Sequence, residues 1–231
     1  MKISFREETT IDYPGKFGVI VFTSGCNFKC GFCHNYELID GVDNEIDLDF
    51  LLKDLEVKAQ EGWYKAVTIS GGEPCLQNGL IEFVKKLKEL GLSVKIDTNG
   101  SRPDVLRELS DVGVDYVAMD IKSPKGKYNE ITGVEVDIEK IEESIRLVEQ
   151  FPNSEFRTTV LPFYSKSDIE EMGKWVKGIV GSKVKLWTLQ QFLPEKTRDV
   201  EYREMSPSSK EKLDKFGELM KEYADEIRVL V

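Results

Sequence analysis

Short apolar runs rich in β-branched residues alternate with longer stretches of helical period along most of the chain, and that alternation restricts the fold more than any other feature. Strand candidates cover residues 18–23, 66–70, 93–98, 116–121, 156–161, 184–189 and 227–231. Helix candidates lie between them near 48–61, 80–90, 104–112, 138–150, 168–180 and 208–224. A strand, a helix and a further strand make the parallel βα unit, because a parallel neighbour can be reached only by a crossover connection. In the second helix candidate Leu80, Phe83, Val84, Leu87 and Leu90 form one apolar stripe with Lys and Glu opposite, the pattern of a helix lying on a sheet. Ser167 with Glu170 reads as a capping box, and Ser206 before Pro207 as an N-cap with proline in the first turn. The expected fold is α/β, a partial or complete parallel (β/α) barrel, with an open doubly wound sheet as the alternative. Polar residues recur at the C-terminal ends of successive strands and favour the barrel, in which those ends converge on one mouth.

At 231 residues the chain is expected to be a single domain spanning 1–231, and 40% apolar residues suffice for a sizeable core. The stretch 193–209 is the longest without clear period and is expected as a loop near the mouth. Acidic residues outnumber basic ones by 42 to 32, a net charge of −10, which argues against broad attraction to nucleic acid or anionic lipid. No apolar run approaches the roughly 20 residues that span a bilayer, and the first residues lack the apolar stretch of a signal peptide. A cytoplasmic protein is expected. Trp63, Trp175 and Trp187 read as core or rim residues, and the lysine- and glutamate-rich runs as solvated helix faces. The chain has a single histidine, which leaves almost no material for histidine-based hydrolytic chemistry.

Directly after the first strand candidate comes Gly25-Cys26-Asn27-Phe28-Lys29-Cys30-Gly31-Phe32-Cys33-His34-Asn35. Three of the four cysteines therefore fall within eight positions, and such crowding in a reducing compartment reads as metal binding rather than cross-linking. Three thiolates from one tight loop can hold three irons of a cubane cluster and leave the fourth iron open. The competing reading is a zinc knuckle completed by His34 or Cys75. It is the weaker one, because His34 directly follows Cys33 and Cys75 has no paired Cys-x-x-Cys. Cys75 reads instead as a small buried thiol.

This loop resembles the Cys-x-x-x-Cys-x-aromatic-Cys signature of the radical S-adenosylmethionine (radical SAM) superfamily, with Phe32 in the aromatic position. Three more segments agree in order: Ser70-Gly71-Gly72-Glu73-Pro74 after the second strand candidate, Asp97-Thr98-Asn99-Gly100 closing the third, and Met119-Asp120-Ile121-Lys122 closing the fourth. Within the superfamily these segments look like the glycyl-radical-enzyme activating proteins. Ile11-Asp12-Tyr13-Pro14-Gly15-Lys16 ahead of the Cys loop is similar to the anaerobic ribonucleoside-triphosphate reductase activating protein family.

The resemblance implies a 4Fe-4S cluster on Cys26, Cys30 and Cys33, with S-adenosylmethionine chelating the open iron. It implies reductive cleavage of that cosubstrate, a glycyl radical left on a partner enzyme, expected to be the anaerobic ribonucleotide reductase, and a low-potential electron donor such as ferredoxin or flavodoxin. The alternative is a radical SAM enzyme acting on a small molecule, nucleoside or other peptide. Gly71 and Gly72 would let backbone approach the methionine moiety, and Glu73 would accept from its ammonium group. The resemblance also puts Asp97 and Asp120 beside the cosubstrate carboxylate with a monovalent cation between, Lys122 nearby, Arg157 on the cosubstrate and Thr159 against adenosine. Relatives often carry a histidine after a Leu-Pro pair, and Leu193-Pro194-Glu195-Lys196 has none.

Overall fold

The computed structural model describes residues 1–39 and 46–231. Eight strands form one sheet in chain order: β1 (Ile3–Thr9), β2 (Gly18–Thr23), β3 (Ala66–Gly71), β4 (Ser93–Thr98), β5 (Tyr116–Asp120), β6 (Asn153–Val160), β7 (Val184–Gln191) and β8 (Ala224–Leu230). β1 runs antiparallel to β2 and every later neighbour is parallel. Among the described residues β1 and β8 do not pair, so the barrel is partial, with an unclosed side between them. The helices are α1 (Leu48–Gln60), α2 (Leu80–Glu89), α3 (Pro103–Asp111), α4 (Tyr128–Thr132), α5 (Ile138–Val148), α6 (Lys166–Val180), α7 (Val200–Arg203) and α8 (Lys210–Met220). None of the helices among the described residues is long and apolar enough to cross a membrane.

Alternation along each strand sorts the side chains. Val67, Ile69, Val94, Ile96, Val117 and Met119 belong to the main buried core, together with Phe83, Leu87, Leu106 and Ile145 from the helices. The opposite face carries Ser70, Asp97, Asp120, Arg157 and Gln190, which line an interior cavity. At the N-terminal ends of the parallel strands the segment between β1 and β2 folds under the sheet. Tyr13 packs with Ala66, Tyr116 and Ala118, and Lys16 Nζ meets Ser93 Oγ at 2.5 Å. Residues 11–16, read above as part of a family resemblance, thus lie at the floor of the barrel, opposite the strand ends that carry the Cys loop.

The seven parallel strands occur where the β-branched runs predict them. β1 is new, because Ser4, Arg6, Glu7 and Glu8 hide its strand character. It is held by pairing with β2, by an ion pair of Arg6 with Asp54 on α1, and by a hydrogen bond from the Tyr64 hydroxyl, in the segment after α1, to Glu8 at 2.6 Å. Two expected helix starts shift. The capping box of α6 is formed by Ser165 and Asp168, two residues before Ser167 and Glu170, because Asp168 N donates to Ser165 Oγ while Asp168 Oδ2 accepts from the Ser165 amide. α8 is capped by Ser209 and not by Ser206. The 193–209 stretch contains the one-turn α7. Trp187 is fully buried, whereas Trp63 is 62% exposed.

Candidate active site

The cavity at the C-terminal ends of the strands has a volume of about 490 Å³. Cys26, Cys30 and Cys33 all line it. The loop that carries them leaves β2 through Gly25, at φ +91°, and is closed by hydrogen bonds from Gly25 N to Leu38 O (2.6 Å) and from Cys26 N to Ile39 O (3.2 Å). From outside, Lys29 N donates to Thr132 O at 2.8 Å and Asp199 N to Gly31 O at 2.9 Å. All four cysteines are free. Burial pushes the Cys26 thiol up to about 12 and Cys30 up to about 11, and raises Cys33 as well, while the Lys122 ammonium acts the other way on all three. A metal that binds these sulfurs stabilises the thiolate form and so displaces the protons that burial otherwise holds on them.

The zinc alternative finds no support in this arrangement. Cys75 is 2% exposed and does not line the cavity. His34 Nε2 lies 2.6 Å from Leu193 O, and because a carbonyl only accepts, that nitrogen carries the proton. Among the described residues, no three His, Cys, Asp or Glu side chains converge as a single ion requires. Three loop thiols that line one cavity can each ligate a separate iron of a cluster.

Gly71 and Gly72 stand at the cavity wall, and both are needed for backbone approach within the protein itself. Gly71 has φ +108°, and a Cβ there would stand 2.9 Å from Phe22 C; one at Gly72 would stand 2.7 Å from Gly25 C. This close contact lets Gly72 N donate to Thr23 O and Glu73 N to Gly25 O, each at 2.8 Å. Glu73 is 1% exposed. Its Oε1 accepts from Cys75 N (3.0 Å) and Thr98 Oγ1 (2.8 Å), and its Oε2 from Asn99 N (2.6 Å). The carboxylate expected to receive a ligand ammonium is therefore already engaged in tying the end of β3 to the end of β4. Burial raises its pKa, and these hydrogen bonds oppose the rise.

Asp97, Asp120, Lys122 and Arg157 come together at the ends of β4, β5 and β6. Register places Asp120 beside Arg157. The guanidinium donates through Nε to Asp120 Oδ1 (2.9 Å) and through Nη1 to Asp97 Oδ2 (3.0 Å), and Lys122 Nζ donates to Asp120 Oδ2 (2.9 Å). Burial would raise Asp120, but Arg157 and then Lys122 outweigh it and hold the carboxyl down at about 2. Asp97 is lowered in the same way, by Arg157 and Lys95 acting against burial. Lys122 and Arg157 hold their protons more tightly than usual, because the facing carboxylates outweigh burial. Arg157 bridges both aspartates at the place where the resemblance implies a monovalent cation.

Phe32 is 5% exposed, lies beneath the Lys122 ammonium and packs against Tyr202. Thr159 lines the cavity two residues beyond Arg157 on the same face. Where a histidine is absent after Leu193-Pro194, Leu193 itself lines the cavity and is held by His34. Sequence reasoning passed over Asn99, Gln190 and Gln191. Asn99 Nδ2 donates to Asn27 Oδ1 at 2.9 Å, joining β4 to the Cys loop. Gln190 could have been found by alternation, two residues beyond Thr188 on β7.

Comparison with known proteins agrees with this geometry. The pattern described as Radical SAM superfamily matches residues 20–176, from β2 into α6. A protein of Methanocaldococcus jannaschii named "Putative glycyl-radical enzyme activating enzyme" is 35% identical over 236 residues, covering 95% of this chain and 91% of its own. A GTP 3′,8-cyclase of Helicobacter pylori is 34% identical over 134 residues, 54% of this chain and 41% of that protein. The crystal structure of Streptococcus suis SuiB bound to its precursor peptide SuiA superposes with a TM-score of 0.69 at 16% identity, over 90% of this chain and 47% of that one. With three cysteines on one loop after the first parallel strand, a partial (β/α) barrel around them, and a family match over most of the chain, this protein belongs to the radical SAM superfamily.

Proposed function

We propose that the chain is a glycyl-radical-enzyme activating enzyme, holding a 4Fe-4S cluster on Cys26, Cys30 and Cys33 and S-adenosylmethionine in the cavity beside it. The observation that carries the reading is the meeting, in one cavity, of three free loop thiols and the Asp97–Arg157–Asp120–Lys122 network. The near full-length likeness to the Methanocaldococcus jannaschii protein directs it toward glycyl-radical activation. When bound, cluster and cosubstrate together supply reductive cleavage of the sulfonium and a 5′-deoxyadenosyl radical. The chain's own contribution is placement and exclusion of water. Arg157 and Lys122 offer positive charge to the cosubstrate carboxylate. Asp97 Oδ1, buried and without a hydrogen bond but 3.3 Å from Lys95 Nζ, would share its charge between that lysine and the cosubstrate ammonium group. Gly71 and Gly72 set the wall on which the methionine moiety lies, Glu73 holds that wall to β4, and Phe32, Thr159 and Leu193 flank the adenosine.

We place the protein in the cytoplasm, drawing electrons from a low-potential ferredoxin or flavodoxin, with the anaerobic ribonucleotide reductase as its partner. The test is anaerobic incubation of the reduced, reconstituted protein with S-adenosylmethionine and that reductase, followed by electron paramagnetic resonance. A doublet that collapses when the partner carries α-deuterated glycine is the expected result. The likeness to a GTP 3′,8-cyclase favours a second reading, in which the substrate is a nucleotide or other small molecule. Formation of 5′-deoxyadenosine with consumption of a small molecule and no partner radical would select it.

A further inference from the structure

One pleat below the site residues, the barrel interior carries a second pair of charges. Lys95 stands two residues before Asp97 on β4, and Glu155 two residues before Arg157 on β6; both are 4% exposed. Alternation puts all four side chains on the interior face. The strand between them, β5, presents Ala118 at the level of Asp97 and Glu155. Its single methyl group leaves room for long side chains to meet across the strand. Lys95 Nζ lies 3.3 Å from Asp97 Oδ1 and 3.5 Å from Glu155 Oε1, and donates to Asp12 O at 2.8 Å. Glu155 Oε2 accepts from Thr188 Oγ1 at 2.8 Å. Three cations, Lys95, Lys122 and Arg157, thus face three carboxylates, Asp97, Asp120 and Glu155.

The arrangement raises a competition. Glu155 is close enough to act electrostatically on Arg157, yet the guanidinium points away from it, to Asp97 and Asp120. A buried carboxylate deprived of its partner draws the nearest cation, because an unpaired charge in the interior costs several kcal/mol. We propose that Lys95 is a positioning residue for the cosubstrate pocket: standing between Asp97 and Glu155 it neutralises both, and so keeps Glu155 from drawing Arg157 off the two aspartates. Lys95 also ties the pocket to the floor of the barrel through the Asp12 carbonyl. The inference rests on the reading of this cavity as the cosubstrate site.

A double-mutant cycle on the cluster-reconstituted protein tests it: Lys95→Met, Glu155→Gln and the two together, with S-adenosylmethionine affinity measured by calorimetry and each ligand-free variant crystallised. Lys95→Met should weaken binding by about tenfold or more. Its crystal structure should show Arg157 turned from Asp97 toward Glu155. Glu155→Gln still accepts from Thr188 and should change affinity by no more than about threefold, and the double variant should return to within about threefold of wild type. Should Lys95→Met fail to fold, Lys95→Gln, which keeps a donor toward Asp12, replaces it in the same cycle. Additive losses, or an Arg157 that stays on both aspartates in the Lys95 variant, would overturn the proposal. Absence of binding to the wild type would instead defeat the reading of the cavity, and the position of Arg157 in the ligand-free variant would still decide the role of Lys95.

Discussion

Replacing Glu73 separates two accounts of the Gly71-Gly72-Glu73 segment. If the carboxylate contacts a ligand, its loss lowers affinity and leaves the ligand-free fold alone. The hydrogen bonds indicate the reverse. Glu73→Ala strands the amides of Cys75 and Asn99 and the Thr98 hydroxyl, three donors that now reach Oε1 and Oε2 at 2.6–3.0 Å in a nearly fully buried site. An unsatisfied buried donor costs about 1–3 kcal/mol. The hydroxyl can rotate toward another acceptor, so the two amides dominate, and the burial that raises the Glu73 pKa is relieved by the substitution. The expected net loss is therefore about 3 kcal/mol, which for a chain of this length lowers Tm by roughly 10 °C. Glu73→Gln retains one acceptor oxygen and should lose about half as much. The assay is thermal and urea unfolding of the protein without cosubstrate, under anaerobic reducing conditions. A Glu73→Ala protein that melts within about 1 °C of wild type while its S-adenosylmethionine affinity collapses would refute this reasoning and restore direct ligand contact.

Three further outcomes are expected. Serine at Cys26, Cys30 or Cys33 should abolish iron and sulfide retention after anaerobic reconstitution, whereas Cys75→Ser should keep both, because Cys75 does not line the cavity. Gly31→Ala should release the segment around α7 from the Cys loop, since a Cβ at Gly31 would clash with the Asp199 carboxylate and approach Tyr202 Cε2 to 2.6 Å; faster tryptic cleavage after Arg198 and Arg203 is the readout. The Asp120 carboxyl is held below its ordinary value, so its stabilising contribution is present above pH 3.8 and is lost as pH falls toward about 2. That shift is worth on the order of 2 kcal/mol, and Asp120→Asn should flatten the corresponding part of the acid unfolding profile.

Much of this protein was legible in its residues because the decisive signals are local. Strand and helix periods depend on side chains a few positions apart, so the seven parallel strands and the order of βα units could be read directly, and three cysteines within eight positions announce a metal-binding loop without any fold. Strand-end polar residues such as Asp97 and Asp120 could be placed at one mouth once a parallel barrel was expected. What could not be read depends on which strands stand side by side and how far a side chain reaches. Gly71 and Gly72 look like open space for a ligand until Phe22, Thr23 and Gly25 are seen against them, and Glu73 looks like a free acceptor until donors from Cys75 and the end of β4 are found on its oxygens. Arg157 lies 60 residues from Asp97 in the chain and bridges it to Asp120 only through the register of β4, β5 and β6. Lys95 and Glu155 carry no signal in the sequence, Glu155 lying just before the strand candidate at 156–161; tertiary structure alone makes them a buried pair, because a small residue at Ala118 lets charges from non-adjacent strands meet where water cannot screen them.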